Sequence, residues 1–153
     1  IVYRVVHGGF NSEIMPTIGA AFNNWSTNID GKEVKLNIMD TAGADTFKCL
    51  VPMYIRNSKA VVFVYNVADR DSFLALDNWF NVAYEAAVST DSCKSFFVAN
   101  KIDLSSEAAV TESEGLEYAA SKGGVYMETS AKTGQGINDL FNSIAAEMAK
   151  IPQ

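Results

Sequence analysis

Two carboxylates in the sequence each follow an apolar run, which suits ligand binding at the end of a β-strand. The first, Asp40, opens the segment Asp40-Thr41-Ala42-Gly43 directly after the apolar run that ends at Met39. A carboxylate at a strand end can hold the water shell of Mg²⁺. A glycine shortly after it lets its backbone N–H approach a phosphate closely. Taken alone the spacing is weak, because an ordinary strand-ending turn also produces it.

The second carboxylate, Asp103, ends the segment Asn100-Lys101-Ile102-Asp103, which follows the apolar run from Phe96 to Ala99. Guanine presents two adjacent donors, and one carboxylate can accept both. Adenine presents the opposite pattern and would leave a buried carboxylate unpaired, at a cost of a few kcal/mol. The aliphatic stem of Lys101 can cover one face of the base, and Asn100 can connect neighbouring loops. The alternative interpretation is an N-cap turn at the start of a helix.

Two further segments extend this chemistry. In Thr129-Ser130-Ala131-Lys132 the backbone N–H of Ala131 can donate to the guanine carbonyl oxygen, which adenine lacks. In Pro16-Thr17-Ile18-Gly19 the threonine can place its hydroxyl on Mg²⁺ and its N–H on a terminal phosphate, in a loop that orders with a triphosphate. Each segment alone fits an ordinary loop. All four, in this order and after strands, predict a guanine-nucleotide site with Mg²⁺.

The elements that must position these segments follow from the apolar pattern. Continuous apolar runs predict strands covered on both faces, and periodic ones predict amphipathic helices. Asp30-Gly31 predicts a hairpin turn, and Thr111 to Glu114 predicts a capping box. Alternating strands and helices predict a doubly wound α/β domain with ligands beyond the carboxyl ends of its strands. The predicted strands are 20–29, 33–39, 60–65, 96–99 and 125–127, and the predicted helices are 1–7, 73–87, 111–123 and 137–148.

Composition narrows the class of protein. The 153 residues fit one domain, and 48% hydrophobic with 20% charged residues predicts a globular, soluble chain. A formal net charge of −6 argues against nucleic-acid binding, which needs a basic face. Cys49 and Cys93 show no metal-binding spacing, so we interpret them as reduced thiols of a cytoplasmic protein. The apolar run from Ala60 to Tyr65 is too short to span a bilayer.

The four segments resemble those of Ras-superfamily GTPases over nearly the whole chain, and they are most similar to Rab proteins of the early-endosomal branch. The similar stretches are TIGAAF (17–22), KLNIMDTAG (35–43), VPMYIRNS (51–58), VVFVYNV (61–67), ANKIDL (99–104) and ETSAKTG (128–134). The resemblance implies a mostly parallel six-stranded sheet with one antiparallel edge pair. It also implies a GTP/GDP switch in vesicular membrane traffic, at the cytosolic face of endosomal or vesicle membranes. Its partners would be effectors, an exchange factor and a GTPase-activating protein.

The resemblance also assigns roles to individual residues. It implies that Thr17 and Asp40 serve Mg²⁺ and that Gly43 contacts the γ-phosphate. It implies that Phe10 packs edge-on to the base, for which a core position is the alternative. An effector surface would include Phe22 and Tyr54, with Met39 where tryptophan is usual. The residues that would hold guanine are Asn100, Lys101, Asp103, Ser130, Ala131 and Lys132.

The sequence departs from the Rab pattern in ways that affect function. No GxxxxGK[ST] phosphate loop occurs, and the family places that loop and a core strand before the position of Ile1. We therefore expect residues 1–153 to be an N-terminally incomplete domain, with a further preceding domain left open. Ala44 replaces the glutamine that orients the attacking water, which predicts slow hydrolysis. Membrane attachment would need a lipidated tail, which this sequence does not contain.

Two other classes of function are considered. A pseudo-GTPase scaffold without useful hydrolysis is favoured by Ala44 and the absent phosphate loop, and disfavoured by the intact Thr17, Asp40, Asn100 and Asp103. A dinucleotide-dependent oxidoreductase is excluded, because no GxGxxG segment follows a strand.

Overall fold

The structure, a computed structural model, describes residues 1–86 and 93–151. Within them the chain alternates strands and helices, in keeping with the predicted α/β class. The strands are β1 (Ala20–Ile29), β2 (Lys32–Thr41), β3 (Ala60–Asn66), β4 (Lys94–Asn100) and β5 (Val125–Glu128). The α-helices are α1 (Val2–His7), α2 (Val51–Ile55), α3 (Arg70–Leu74), α4 (Leu76–Ala86), α5 (Glu112–Ser121) and α6 (Ile137–Ala149). Two 3₁₀ helices in the described residues cover Asp45–Leu50 and Ile102–Glu107.

Strands β1 and β2 form an antiparallel hairpin around the predicted turn. Asp30 and Gly31 have φ angles of 51° and 82°, as a two-residue turn that continues the strand twist requires. The N–H of Gly31 donates to Oδ1 of Asn28 at 2.8 Å, which closes the turn. The register pairs Ala21 with Asp40 at the far end. The hairpin therefore carries the segment after Thr17 to the side of Asp40.

Strands β3, β4 and β5 form a parallel sheet in that order, with β4 in the middle. Asn66 pairs with Asn100 and Ala99 with Glu128, so the three strands end at the same edge. Helices α3 and α4 connect β3 to β4, and α5 connects β4 to β5. The loops that follow the strands are thereby gathered at the carboxyl edge, where α/β sheets bind ligands.

Alternate residues of β4 enter two separate cores. Phe97 packs with Phe63, Tyr65 and helices α4 and α5 on one face. Phe96 and Val98 pack under α6 on the other face, together with Leu36 of the hairpin. Each fully buried aromatic or aliphatic side chain contributes about 1.5–3 kcal/mol. Helix α6 thus joins the hairpin to the parallel sheet, and helices cover both faces of β4.

Two sequence predictions about the sheet differ from the structure. A single six-stranded sheet is not confirmed, because the five strands of the described residues form a two-stranded and a three-stranded sheet. The prediction that β3 is covered on both faces is wrong: Val62 and Val64 are 37% and 45% exposed. Strand β3 is an edge of its sheet, and α6 covers β4 instead. Residues 96–99 of β4 are buried as predicted.

The helix boundaries also refine the predictions. The periodic segment 73–87 belongs to two helices, α3 and α4, and Ala87 lies outside the described residues. The capping box is confirmed, since Thr111 Oγ1 accepts from the N–H of Glu114 and Glu114 Oε2 accepts from the N–H of Thr111. No helix in the described residues is both long and apolar enough to span a membrane.

Candidate nucleotide-binding site

The loops after β4 and β5 are joined through their backbones. The N–H of Thr129 donates to the carbonyl oxygen of Ala99 at 2.8 Å, and the N–H of Ile102 donates to that of Thr129 at 3.2 Å. These bonds continue the pairing of the two strands past their ends. The segments 100–103 and 129–132, 29 residues apart, therefore form one surface.

Asn100 connects these two loops through its side chain. Its Oδ1 accepts from Thr129 Oγ1 at 3.1 Å and from the N–H of Ala131 at 3.3 Å. The alternative of an N-cap role does not hold, because the following 3₁₀ helix has Lys101 at its N-cap and no side-chain capping bond. The bond from Ala131 is long for N–H···O. A guanine carbonyl oxygen could share or replace it, and that contact stays a prediction.

Asp103 is fixed from beneath by a buried serine. Ser130 is fully buried, and its hydroxyl donates to Asp103 Oδ1 at 2.5 Å. The same hydroxyl oxygen accepts from the N–H of Thr133 at 3.1 Å. A hydroxyl–carboxylate bond this short is charge-assisted and holds the carboxylate in one orientation. Asp103 itself is exposed, so its remaining lone pairs are available to a ligand with two adjacent donors.

The backbone between these residues is strained. Lys101 adopts a left-handed conformation with φ 64° and ψ 36°, which is uncommon for a residue with a side chain. Such strain costs about 1–3 kcal/mol and gathers at binding sites. Here it turns the chain sharply between Asn100 and Asp103. The side chains of Lys101 and Lys132 are exposed.

The predicted phosphate and Mg²⁺ residues lie at the end of the hairpin. The N–H of Ala42 donates to the carbonyl oxygen of Gly19 at 2.9 Å, which joins the segment 16–19 to the segment 40–43. Partial burial raises the pKa of Asp40 above its ordinary value. Gly43 is exposed, and a Cβ placed on it would meet nothing within 4 Å. The space beside Gly43 fits the close approach of a ligand to its backbone.

Comparison with known proteins decides the family. The Ras family model matches residues 1–150. This chain belongs to the Ras family. The Ras-related protein Rab-18 of Caenorhabditis briggsae and that of Caenorhabditis elegans are each 36% identical to it over 152 residues, which cover 99% of this chain and 74% of the relative. A Rab-type small GTPase, as the sequence predicted, is thereby confirmed, and the scaffold alternative is not favoured. The early-endosomal branch stays a prediction.

At the position predicted to orient the attacking water, this Ras-family protein carries a side chain that cannot hydrogen-bond. Ala44 is exposed and extended, with φ −72° and ψ 138°, immediately before the 3₁₀ helix Asp45–Leu50. Its methyl group can neither donate to nor accept from a water molecule. Slow hydrolysis stays a prediction.

The predicted effector residues of this Ras-family chain lie together on its surface. Phe22 and Met39 are partners across the hairpin and are 69% and 36% exposed. The ring of Tyr54 in α2 meets the ring of Phe22 edge to face, with centroids 6.3 Å apart. Their contact with an effector stays a prediction. Phe10 is 51% exposed, which excludes the alternative of a core residue, and its contact with the base also stays a prediction.

Sequence reasoning missed two residues that lie near the loops 100–103 and 129–132. Arg4 of α1 donates to the carbonyl oxygen of Thr133 at 2.9 Å, across 129 residues of sequence. Gly136 has φ 70°, and a Cβ on it would overlap the carbonyl oxygen of Glu128. Its position directly before α6 was a usable signal, since a glycine there often supplies a positive φ. Nothing in the spacing indicated Arg4.

Proposed function

We propose that this Rab-type GTPase acts as a GTP/GDP-dependent switch in vesicular membrane traffic, with Mg²⁺ as its metal. The observation that carries the proposal is the hydrogen-bonded pair of loops in which Ser130 orients Asp103 and Asn100 holds Thr129 and Ala131. A fixed carboxylate beside a backbone N–H matches the two donors and the carbonyl oxygen of guanine. It mismatches adenine, whose edge has the opposite pattern.

In the proposed complex each end of the nucleotide has its own residues. Asp103 accepts the two guanine donors, Ala131 donates to the carbonyl oxygen, and Lys101 covers one face of the base. Thr17 and Asp40 hold Mg²⁺, which when bound neutralises charge on the phosphates. Gly43 donates its N–H to the γ-phosphate. The proposal requires a phosphate loop outside residues 1–153, since no GxxxxGK[ST] segment occurs in them.

Switching would use the link between the two loops at the end of the hairpin. The bond from Ala42 to Gly19 makes the two loops neighbours, so a γ-phosphate that holds Gly43 and Thr17 would order both. An effector would then bind across Phe22, Met39 and Tyr54. An exchange factor would release GDP, and a GTPase-activating protein would supply the water-positioning group that Ala44 lacks. Attachment to the cytosolic face of vesicle or endosomal membranes would depend on a lipidated tail.

Hydrogen exchange tests the switch directly. The full-length protein is loaded with GDP or with a non-hydrolysable GTP analogue, and amide exchange is compared between the two forms. We expect slower exchange in residues 14–19 and 42–50 with the GTP analogue and equal exchange in α6, which is the internal control. Equal exchange of both loops in the two forms would refute the switch and leave a scaffold function as the better explanation.

A further inference from the structure

Arg4 reaches from α1 to the loop that follows β5. Its terminal nitrogen donates to the carbonyl oxygen of Thr133 at 2.9 Å. A Cβ placed on Gly134 would lie 2.5, 3.0 and 3.1 Å from the Nη2, Nε and Cζ atoms of Arg4. The guanidinium group therefore lies directly against the glycine backbone. This close approach needs a residue without a side chain, and Gly134 also has φ 89°.

The contact supports Thr133 and Gly134, whose N–H groups both donate within the loop, whereas Ser130 and Ala131 of the same loop bond to Asp103 and Asn100. The N–H of Gly134 donates to the carbonyl oxygen of Ser130 at 2.8 Å, and the N–H of Thr133 donates to the hydroxyl of Ser130. Both bonds tie residues 133 and 134 back to Ser130, at the base of the loop. Lys132 and Thr133 are exposed at its tip. Arg4 adds a contact from a different element, 129 residues away in the sequence.

We propose that Arg4 is a positioning residue for guanine recognition: by holding Thr133 and Gly134 it keeps the N–H of Ala131 in place for the guanine carbonyl oxygen. The inference rests on the proposed function, because it assigns a partner to the same loop. A planar guanidinium suits this role, since it can donate at its edge while its body lies against the backbone. Lysine at this position would keep the charge and a donor but not the flat contact.

The base itself offers a way to test which contact Arg4 supports. Inosine diphosphate has the same carbonyl oxygen and ring N–H as GDP but lacks the amino group that Asp103 would accept. Displacement of Ala131 should weaken the binding of GDP and of inosine diphosphate by the same factor. Displacement of Asp103 should weaken the binding of GDP more, because GDP alone has a second donor whose bond to Asp103 would be lost.

The experiment measures dissociation of ribose-labelled GDP and inosine diphosphate from the full-length protein with Mg²⁺ present. We expect R4A to accelerate both dissociation rates about fivefold, the size of one hydrogen bond to a charged donor that is partly exposed. R4K should lie between R4A and wild type. H7A is the matched control, on the same helix and in aromatic contact with Tyr3, and it should leave both rates unchanged.

Several outcomes would overturn the inference. Wild-type rates in R4A, or equal effects of R4A and H7A, would show that the contact does not position the loop. If R4A raised the dissociation rate of GDP more than that of inosine diphosphate, Asp103 would be the group that moves. If R4A does not fold, R4K decides, and wild-type rates in R4K with a normal melting temperature would refute the flat contact. Absence of GDP binding by the wild-type protein would instead refute the proposed function, and the inference with it.

Discussion

Replacing Ser130 by alanine separates the support of Asp103 from the support of the fold. The substitution removes one oxygen atom from a fully buried site and leaves the backbone bonds of Ser130 in place. That oxygen makes a bond of 2.5 Å to Asp103 and one of 3.1 Å to the N–H of Thr133. A bond to a charged group contributes about 1.5–3 kcal/mol and a neutral one about 0.5–1.5 kcal/mol. Because Asp103 and Thr133 are exposed, water replaces part of both contributions.

We therefore expect S130A to lower the free energy of unfolding by about 2 kcal/mol. Asp103 also loses its fixed orientation, and ordering such a side chain on binding costs about 0.5–1.5 kcal/mol. GDP affinity should fall about 3- to 10-fold, since about 1.4 kcal/mol is a factor of ten. The affinity for inosine diphosphate should fall by less, because this nucleotide presents Asp103 with one donor instead of two.

Urea unfolding and calorimetric titration with GDP and inosine diphosphate measure these effects in the full-length protein. T133A is the matched control, since it keeps the backbone N–H that bonds to Ser130 and loses only an exposed 3.3 Å bond from the N–H of Gln135. It should change neither quantity by more than about 0.5 kcal/mol. An unchanged GDP affinity in S130A, together with the expected loss of stability, would refute the reasoning. Ser130 would then stabilise the loop without orienting the carboxylate.

Three further predictions test other parts of the account. A44Q should raise the single-turnover rate of GTP hydrolysis at least about tenfold by restoring a water-positioning side chain, and an unchanged rate would contradict the predicted defect. The hydroxyl of Tyr118 and the ammonium group of Lys122 hold the pKa of Asp77 below its ordinary value. The contribution of Asp77 to stability is therefore present at neutral pH and lost as pH falls through that lowered pKa. D77N should lower the free energy of unfolding in urea by about 0.5–1 kcal/mol at neutral pH and leave it unchanged in strong acid. An equal difference between D77N and wild type at the two pH values would exclude a charge effect. G136A should lower the free energy of unfolding in urea by more than about 3 kcal/mol, because the new methyl group overlaps the carbonyl oxygen of Glu128. G123A, at a glycine with φ 66° and open space, should lower it by about 1 kcal/mol. Equal losses in the two variants would show that backbone conformation alone matters.

The local features of the fold were predictable because their causes are local. The hairpin at Asp30-Gly31 follows from two adjacent residues that tolerate positive φ, and β1 has the predicted bounds. The capping box at Thr111 depends on two side chains on one helical turn. The run from Phe96 to Ala99 is buried as predicted, because its continuous apolar sequence reflects the covering of both faces of β4 by helices.

The remaining features depend on contacts between distant segments. The exposure of Val62 and Val64 is decided by what lies beside β3, which its own sequence does not record. The bond from Arg4 to Thr133 has no signature in spacing, because the helix and the loop are far apart in the sequence and adjacent only in the folded structure. The candidate nucleotide-binding site was predictable only in part. The types of Asn100 and Asp103 predicted guanine chemistry, but that Ser130 fixes Asp103 through its hydroxyl required the structure.

The identity of the nucleotide that copurifies with the full-length protein tests the central claim most directly. The protein is purified at low Mg²⁺ and denatured, and the released nucleotide is identified by chromatography. We predict close to one guanine nucleotide per protein, with GTP in excess of GDP because we expect Ala44 to slow hydrolysis. A protein that releases no guanine nucleotide, and shows no calorimetric binding of added GDP with Mg²⁺, would contradict the claim that Asp103, Ser130 and Asn100 form a guanine site.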